Sequence, residues 1–445
     1  MTTPEHAKAL SEAAVARATA LGADAADALF SADTAVAVSV RLGALEEVER
    51  SEGAELSLRV FIGHRSASVT TSDLSDAALD TLADRAMRMA REATEDRWAG
   101  LAPRNRLLHG APPALDLDDG AEVEPETLKQ AALAAEDAAR AVEGVTSSEG
   151  ASATASRSIV ALATSHGFSG AYPVTAHSLA ASVLAKGAGG GLQRDAAHHT
   201  VRHRSALETP EMIGERAGVR AVARRDPIRP RSGSMPVIFD PRVGSGLIGA
   251  LTGAISGPAI ARGTSFLRDM LGKQVFAGGI TIHDDPHRPR GLRSKPFDGE
   301  GLPVSPSMLI ENGMLESWLL DSASARQLGL EPTGHAGPGG GTATSNLYME
   351  AGTISPETLI ADIEYGLWVT ELIGRGVNPV TGDYSRGAAG FLIENGEITR
   401  PVAECTIAGN LKDMYRAMTP ANDLEFRYGV NVPTLRVEGM TIAGE

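Results

Sequence analysis

Apolar positions recur with a helical period at several places in the first half of the chain. In segment 4–21 they fall three and four residues apart, which predicts a helix with one buried stripe that ends at Gly22. The same spacing predicts helices over 75–92, 125–142 and 208–225.

Short runs of β-branched residues lie between these helices. They cover 34–40, 46–49 and 56–62, and strand-like runs continue from 145 to 201. The predicted breaks fall at Gly43, Gly53 and Gly63. Antiparallel strands joined by tight turns and flanked by helices make residues 1–225 an α+β domain.

The second half of the chain, residues 232–445, consists of short apolar runs separated by glycine turns. Asn312-Gly313 and Asn395-Gly396 are typical of two-residue hairpins, in which both central residues must accept positive φ. This half is predicted to be a β-rich, mostly antiparallel domain. A chain of 445 residues also exceeds the usual size of one compact core.

The helix predicted over 208–225 ends in arginines that include Arg216, Arg220 and Arg224, and prolines follow it. Positive charge at a helix C-terminus complements the helix dipole. We interpret the segment as a solvated helix end and a linker between the two domains, and a basic face for an acidic partner is the alternative.

Charge and composition restrict the possible functions. Lys and Arg number 41 against 56 Asp and Glu, a net charge of −15 that disfavours nucleic acid and anionic membranes as partners. The uncharged stretch 243–261 is too rich in Gly, Ser, Thr and Pro to predict a membrane span. The N-terminus carries no signal-peptide pattern, so a cytoplasmic location is expected.

The usual sequence signals of a hydrolase are missing. None of the 11 histidines precedes a glutamate, so no His-Glu metallopeptidase motif exists. The single cysteine, Cys405, lies in a strand-like run and is interpreted as a small buried apolar residue. Asp383, Tyr384 and Arg386 form a polar trio that we interpret as a structural turn.

Acidic residues are densest between residues 284 and 300, where Asp284, Asp285, Asp298 and Glu300 are interspersed with arginines. A salt-bridged turn is the favoured interpretation. The alternative is an atypical metal site built from His335, His283 and Asp284, which would make the chain an autonomous metallopeptidase.

A second glycine-rich segment, Gly339, Gly340, Gly341 and Thr342, suits an ordinary loop. Its exposed backbone could also pair with an extended peptide by strand addition, which makes these residues a candidate peptide groove.

Several ordered blocks between residues 236 and 412 resemble the TldD/PmbA family of metalloproteases, and specifically its PmbA (TldE) branch. They include FDPRVGSGLIGAL, ARGTSFL, ITIHDDP, GTATSNLYMEAG and GVNPVTGDYSRGAAGFLIENGEITRPVAECTIAGNL. The resemblance implies an α+β N-terminal domain and a β-rich C-terminal domain.

The catalytic branch of that family carries two histidines and a glutamate on one helix, and a cysteine near the C-terminus completes its zinc shell. With Gly263-Thr264-Ser265 as the anchor, the helical positions fall at Ile248, Gly249 and Gly253 here. Cys405 matches a position that is not a ligand. Gly249, Gly253 and Gly257 recur every four residues, which predicts a helix face suited to close packing or to a groove.

The resemblance therefore implies a noncatalytic, metal-free subunit that pairs with a TldD-like zinc protease and helps it to cleave unfolded or modified peptides. Such complexes mature peptide antibiotics and degrade antitoxins. Zinc is expected in the partner only, and a homodimer is expected when the chain is isolated. A binding protein that modulates gyrase is a further alternative, although the acidic charge argues against direct contact with DNA.

Overall fold

One antiparallel sheet organises the first half of the molecule in this computed structural model, which describes residues 2–445. The elements of this half are α1 (Pro4–Ala20), β1 (Ala25–Arg41), β2 (Ala44–Ile62), β3 (Arg65–Thr71), α2 (Asp76–Glu92), α3 (Pro125–Ala141), β4 (Val145–Thr164), β5 (Ser169–Lys186), β6 (Leu192–Val201) and α4 (Pro210–Ala223). The six strands are ordered β3-β2-β1-β4-β5-β6.

Four helices cover one face of this sheet in two successive pairs. Ala28 and Phe30 of β1 belong to a core shared with α1 and α2, whereas Val38 and Val40 belong to a core shared with α3 and α4. A strand rises about 3.4 Å per residue and a helix about 1.5 Å, so one 17-residue helix covers less than half of the 17-residue strand β1. The length of the strands therefore requires the second helix pair.

The strands of this sheet are longer than the sequence predicts. The three runs expected between residues 34 and 62 form only two continuous strands, and Gly53 lies within β2, paired with Asp33, where a break was predicted. The turns at Gly43 and Gly63 are confirmed. Residues 44–53 are exposed on both faces, so their side chains show no apolar alternation although their backbone is paired.

The second half of the molecule is β-rich, as predicted. Its elements are β7 (Gly233–Phe239), α5 (Pro241–Ala254), α6 (Gly257–Ala261), β8 (Ile282–Asp285), β9 (Ser307–Glu311), β10 (Met314–Leu315), α7 (Ser322–Leu328), β11 (Asn346–Met349), α8 (Pro356–Ile360), β12 (Tyr365–Ile373), β13 (Asp383–Glu394), β14 (Glu397–Asn410), α9 (Leu411–Arg416), β15 (Met418–Pro420), β16 (Val430–Asn431) and β17 (Leu435–Ala443).

Two sheets enclose the core of this half. One runs β14-β13-β12-β7-β17-β15, and β17 also pairs with β14, so that five of its strands close into a barrel. The other is ordered β10-β9-β8-β11-β16. Both predicted hairpins are confirmed, since Asn312-Gly313 joins β9 to β10, Asn395-Gly396 joins β13 to β14, and all four residues have positive φ.

The two halves meet through aromatic rings and ion pairs. The ring of Phe297 lies 4.8 Å from that of Phe168 and 5.3 Å from that of Tyr172, both edge-on. Arg224 at the end of α4 pairs with Asp195 of β6 and with Glu371 of β12. The expected solvated helix end is therefore wrong for Arg224, which pairs with one carboxylate from each half.

No helix within residues 2–445 is long and apolar enough to cross a lipid bilayer.

Candidate functional site

Helix α5 has one buried face and one open face. It begins after Asp240, whose side chain accepts a hydrogen bond from the Arg242 amide, and Pro241 occupies its first turn. Leu247, Ile248 and Leu251 are buried in the core of the second half. The opposite face carries glycine and is exposed, so the helix forms the floor of a cleft.

This cleft has a volume of about 600 Å³ and lies between the two halves of the molecule. Its walls come from β6, α4, α5, the loop before β16 and the segment around β11. The lining residues are Ala196, His198, Arg220, Arg242, Ser245, Gly246, Gly249, Thr252, Arg293, Thr344, Leu347, Tyr428, Gly429 and Val430. We refer to this space as the α5 cleft.

The three positions aligned with a zinc site have distinct surroundings. Ile248 is fully buried and belongs to the core, so it does not reach the cleft. Gly249 lines the cleft, and apart from the backbone of α5 itself no atom of residues 2–445 lies within 4 Å of the place that a Cβ would take at Gly249 or Gly253. None of the three offers a donor atom, so this part of α5 does not fit a zinc ion.

The glycine face is a groove and not a packing surface at Gly249 and Gly253, where nothing approaches it. Gly257 behaves differently because it lies in α6, beyond the end of α5, and a Cβ there would lie 2.7 Å from Cβ of Ser324. The four-residue spacing is therefore split between two helices with different surroundings.

Two residues of the alternative metal site, His335 and Asp284, come together, and the third, His283, points away from them. His335 lies 3.0 Å from Asp284 through Nε2 and 2.8 Å from the Thr333 hydroxyl through Nδ1, so both ring nitrogens are engaged. His283 points to the other face of β8, where its Nε2 lies 2.8 Å from the Glu350 carboxylate. In residues 2–445, no group of three or more His, Cys, Asp or Glu is arranged to hold a metal ion.

Buried Asp284 is stabilised as a carboxylate. It accepts hydrogen bonds from the Ser345 amide at 2.8 Å and from its hydroxyl at 2.5 Å. These bonds, together with the larger influence of His335, hold the pKa of Asp284 below its usual range despite burial.

Carboxylates of the acidic segment bind backbone amides, so the prediction of a salt-bridged turn is wrong. Asp298 accepts hydrogen bonds from the amides of Glu300 and Leu302, each at 2.9 Å, and the Glu300 carboxylate accepts from the Ser322 amide at 3.0 Å. The turn is thus tied by backbone amides. The nearby arginines bind elsewhere, as Arg290 does to Asp116 at 2.6 Å.

The glycine-rich segment before β11 is a closed loop, which is the first of its two expected interpretations. The Gly337 amide donates to the Gly341 carbonyl at 2.8 Å, and the Gly340 amide donates to the Gly337 carbonyl at 3.1 Å. Gly339, Gly340 and Gly341 all have positive φ, and Thr342 bridges to Ala336 across the loop base. A peptide groove at Gly339–Thr342 stays a prediction, because part of this backbone already bonds to itself.

Two other candidate groups lie inside the barrel strands. Cys405 is 5% exposed, its thiol donates to the Ala388 carbonyl, and burial raises its pKa to about 11, which disfavours a thiolate ligand. Asp383, Tyr384 and Arg386 belong to strand β13, so the predicted structural turn is wrong. Burial raises the pKa of Tyr384 to about 12.

No single sequence pattern indicates the group of cations that surrounds the α5 cleft. Arg220 comes from α4, Arg242 from α5 and Arg293 from the segment after β8. Arg220 belongs to the predicted solvated helix end and Arg293 to the predicted salt-bridged turn, and neither pattern indicates a cleft. No local spacing could have found the cluster because its members are far apart along the chain.

Comparison with known proteins agrees with this architecture. Family models described as the PmbA/TldA metallopeptidase domain 1, central domain and C-terminal domain match residues 26–90, 118–225 and 232–444. A relative named metalloprotease PmbA from Escherichia coli O157:H7 is 40% identical over 424 residues, which cover 95% of this chain and 93% of the relative.

Solved structures share the whole fold. A Bacteroides thetaiotaomicron protein, described as a proposed modulator of DNA gyrase, superposes with a TM-score of 0.92 at 27% identity and full coverage of both chains. TldE from Thermococcus kodakarensis superposes with a TM-score of 0.87 at 23% identity, covering 98% of this chain and 100% of that one. At that identity the second likeness shows the fold alone.

The chain therefore belongs to the PmbA/TldD metallopeptidase family. Within the family, its extensive identity to metalloprotease PmbA places it in the PmbA/TldE branch.

Proposed function

We propose that this chain is the noncatalytic, metal-free subunit of a heteromeric zinc protease and that it pairs with a TldD-like subunit in the cytoplasm. The complex cleaves unfolded or modified peptides, as in peptide antibiotic maturation or antitoxin degradation. Zinc and the water-activating glutamate belong to the partner. This chain forms one wall of the space that receives the peptide.

The observation that carries this proposal is the surface of α5. A hydrolytic zinc site needs several N, O or S ligands and a base beside the bound water. The aligned positions hold the buried Ile248 and two glycines without side chains. His335 and Asp284 are buried residues of the types that bind metals, but they hydrogen-bond to each other. Thr333 and Ser345 occupy further hydrogen-bonding positions of this pair.

The retained cleft supports a role in peptide binding. The family scaffold is present over nearly the whole chain, and the α5 cleft is wide enough for several side chains at about 600 Å³. A catalytic scaffold that keeps its cleft but offers no metal ligands is suited to shape a substrate chamber for another subunit.

The proposal is tested by purifying this chain, a TldD-like partner and their co-expressed complex. We expect the complex to contain zinc and to cleave an unfolded peptide, whereas this chain alone contains none and has no chelator-sensitive activity. A partner whose His-Glu motif carries glutamine in place of glutamate is the matched control, and its complex should form without turning over.

Stoichiometric zinc with chelator-sensitive cleavage by the isolated chain would overturn this proposal and support the autonomous peptidase. Recovery of gyrase in place of a TldD-like protein from a pull-down would support the gyrase-modulating alternative. The elution volume of the isolated chain on size exclusion separates a monomer from the homodimer that we expect when the partner is absent.

A further inference from the structure

Two arginines of the α5 cleft have no carboxylate partner. Around the cleft, Arg216 and Arg427 pair with Glu208, and Arg242 pairs with Asp240 at 3.0 Å and with Asp195 at 3.3 Å. Within residues 2–445, by contrast, no carboxylate oxygen lies within 4 Å of the guanidinium of Arg220 or Arg293. Two cations therefore face the cleft with no carboxylate of residues 2–445 in direct contact.

Arg220 is held in place although it lacks an anion. It projects from α4, is half-buried, and donates from Nη1 to the Ala196 carbonyl of β6 at 3.3 Å. Burial lowers its pKa and the positive charge of Arg242 lowers it further, whereas the more distant carboxylates of Asp195 and Asp240 oppose the shift. A guanidinium that loses hydration beside another cation is stabilised when an anion binds next to it.

Arg293 lies across a fixed loop on the other side of the cleft. A Cβ at Gly429 would overlap its Nε and would lie 2.6 Å from its Cδ, so glycine allows the arginine to lie flat on the backbone there. Asn431 fixes this loop, because its side-chain oxygen accepts from the amides of Arg427 and Tyr428 at 2.8 Å each. The position of Arg293 is thus set by the fold.

The floor between the arginines is open. Gly246 and Gly249 place no side chain in the cleft, and the guanidinium of Arg386 lies 3.9 Å from the place of a Cβ at Gly246. The whole chain carries a net charge of −15, so this positive concavity contrasts with the rest of the molecule. A concave positive site attracts and orients an anionic group.

We propose that the α5 cleft binds the carboxylate of a peptide, with Arg220 and Arg293 as its anchoring cations. Arginine matches a carboxylate geometrically, since its parallel N–H groups can donate to both oxygens. The choice of a peptide as the ligand rests on the proposed function in peptide processing. The recognised carboxylate belongs either to the peptide C-terminus or to an Asp or Glu side chain.

Four labelled pentapeptides distinguish these two sources by fluorescence anisotropy on the isolated full-length chain. They share one sequence, carry Glu or Gln at the central position, and end in a free acid or an amide. We expect binding to weaken about tenfold when the recognised carboxylate is removed, equivalent to about 1.4 kcal/mol. Sensitivity to amidation identifies the C-terminus, and sensitivity to Gln identifies the side chain.

Variants connect this binding to the two arginines. Arg220→Met and Arg293→Met should each weaken binding of the acidic peptide about tenfold. Arg220→Lys keeps the charge and should therefore retain part of the affinity for the acidic peptide. Arg225→Met is the matched control, because it removes one exposed arginine next to the end of α4 and outside the cleft. Circular dichroism melting checks that each variant is folded, and the exposed Arg293 provides a test should Arg220→Met unfold.

Equal affinity for all four peptides, no binding at millimolar peptide, or equal binding by the Arg220, Arg293 and Arg225 variants would overturn the inference. These results are separable from the proposed function. Carboxylate binding without co-purification of a TldD-like protein contradicts only the subunit role, whereas an active complex whose isolated PmbA-type chain ignores carboxylates contradicts only this inference.

Discussion

The carboxylate of Glu208 accepts two parallel hydrogen bonds of 2.7 Å from the guanidinium of Arg427. The two residues are 219 positions apart, so this pair joins the segment before α4 to the loop that carries Tyr428 into the α5 cleft. Arg216 completes the network with two further bonds of 2.8 and 3.0 Å to the same carboxylate. One acidic residue thus positions a wall of the cleft.

Replacing Glu208 with Ala should destabilise the protein by about 2 kcal/mol, because hydrogen bonds between charged groups are lost and two arginines remain unpaired. Urea denaturation at pH 7 measures the effect. Glu215→Gln is the control, since Glu215 is exposed on α4 and takes part in no ion pair within residues 2–445. Equal stability of the two variants would contradict this assignment.

The same pair predicts an acid dependence. Hydrogen bonds from Arg427, and then from Arg216, hold the pKa of Glu208 far below its ordinary value of 4.5. A carboxyl with a depressed folded-state pKa contributes stability above its unfolded pKa and loses it as the pH falls further. The stability difference between wild type and Glu208→Gln should therefore shrink as the pH is lowered below about 4.5. A constant difference down to pH 3 would exclude this linkage.

Glu300 should have the opposite dependence on pH. Burial raises its pKa to about 7 from an ordinary value of 4.5, although hydrogen bonds from Ser322 oppose the shift. The folded state then holds a proton that the unfolded state has released, so the stabilising contribution is complete below about 4.5 and is lost as pH rises through 7. Buried Asp298, whose pKa is also raised by burial, adds to this trend.

Glu300→Gln should flatten this slope and should exceed the wild type in stability at pH 8 by roughly 3 kcal/mol, since ionising the buried carboxyl is costly and the amide carries no charge. The amide can still accept the hydrogen bonds of Ser322. Urea denaturation at pH 5, 6, 7 and 8 gives the slope, and Glu316→Gln, an exposed site, serves as the comparison. Parallel curves for wild type and Glu300→Gln would show that the buried carboxyl does not titrate in this range.

Phe297 tests the contact between the two halves. It is 4% exposed and lies edge-on to both Phe168 and Tyr172. Phe297→Ala should cost about 3 kcal/mol, because a buried ring is lost and a cavity is left. Denaturation followed by fluorescence and by circular dichroism should then show whether the halves separate. Phe426→Ala is the matched control, because that ring is 41% exposed. An equal loss of stability in this variant would contradict the role of burial.

Local signals in the sequence were sufficient for the elements around the site. The positive φ required at Asn312-Gly313 and Asn395-Gly396 depends on neighbouring residues only, and both hairpins occur where these signals place them. The exposed part of β2 was missed because a strand solvated on both faces carries no alternation. Its pairing with β1 is set by the hairpin and not by its side chains.

The chemistry of the cleft depended on tertiary structure that no local pattern encodes. Arg220 and Arg224 lie one turn apart on the same helix end, yet only Arg224 contacts carboxylates, Asp195 of the neighbouring strand β6 and Glu371 of the second half. His283 and Asp284 are adjacent in sequence but point to opposite faces of β8. Charge spacing alone therefore could not distinguish a buried ion pair from a free cation.

The glycines of the α5 region give a final prediction about its floor. Gly249 and Gly253 lie in an α-helix, neither has positive φ, and no atom approaches the place of a Cβ. Alanine at either position should stabilise the protein by about 0.5–1 kcal/mol, because glycine in a helix interior carries an entropic cost without a packing reason here.

Gly257→Ala is the matched contrast and should destabilise the protein by about 1–3 kcal/mol, since its Cβ would overlap the Ser324 hydroxyl and approach Leu320 to 2.9 Å. Thermal unfolding of the three alanine variants under one condition tests both signs. Opposite signs for Gly249 and Gly257 mean that the four-residue glycine spacing serves two purposes, an open floor in α5 and close packing in α6. A loss of stability in Gly249→Ala comparable to that of Gly257→Ala would instead show that the cleft is closed in solution.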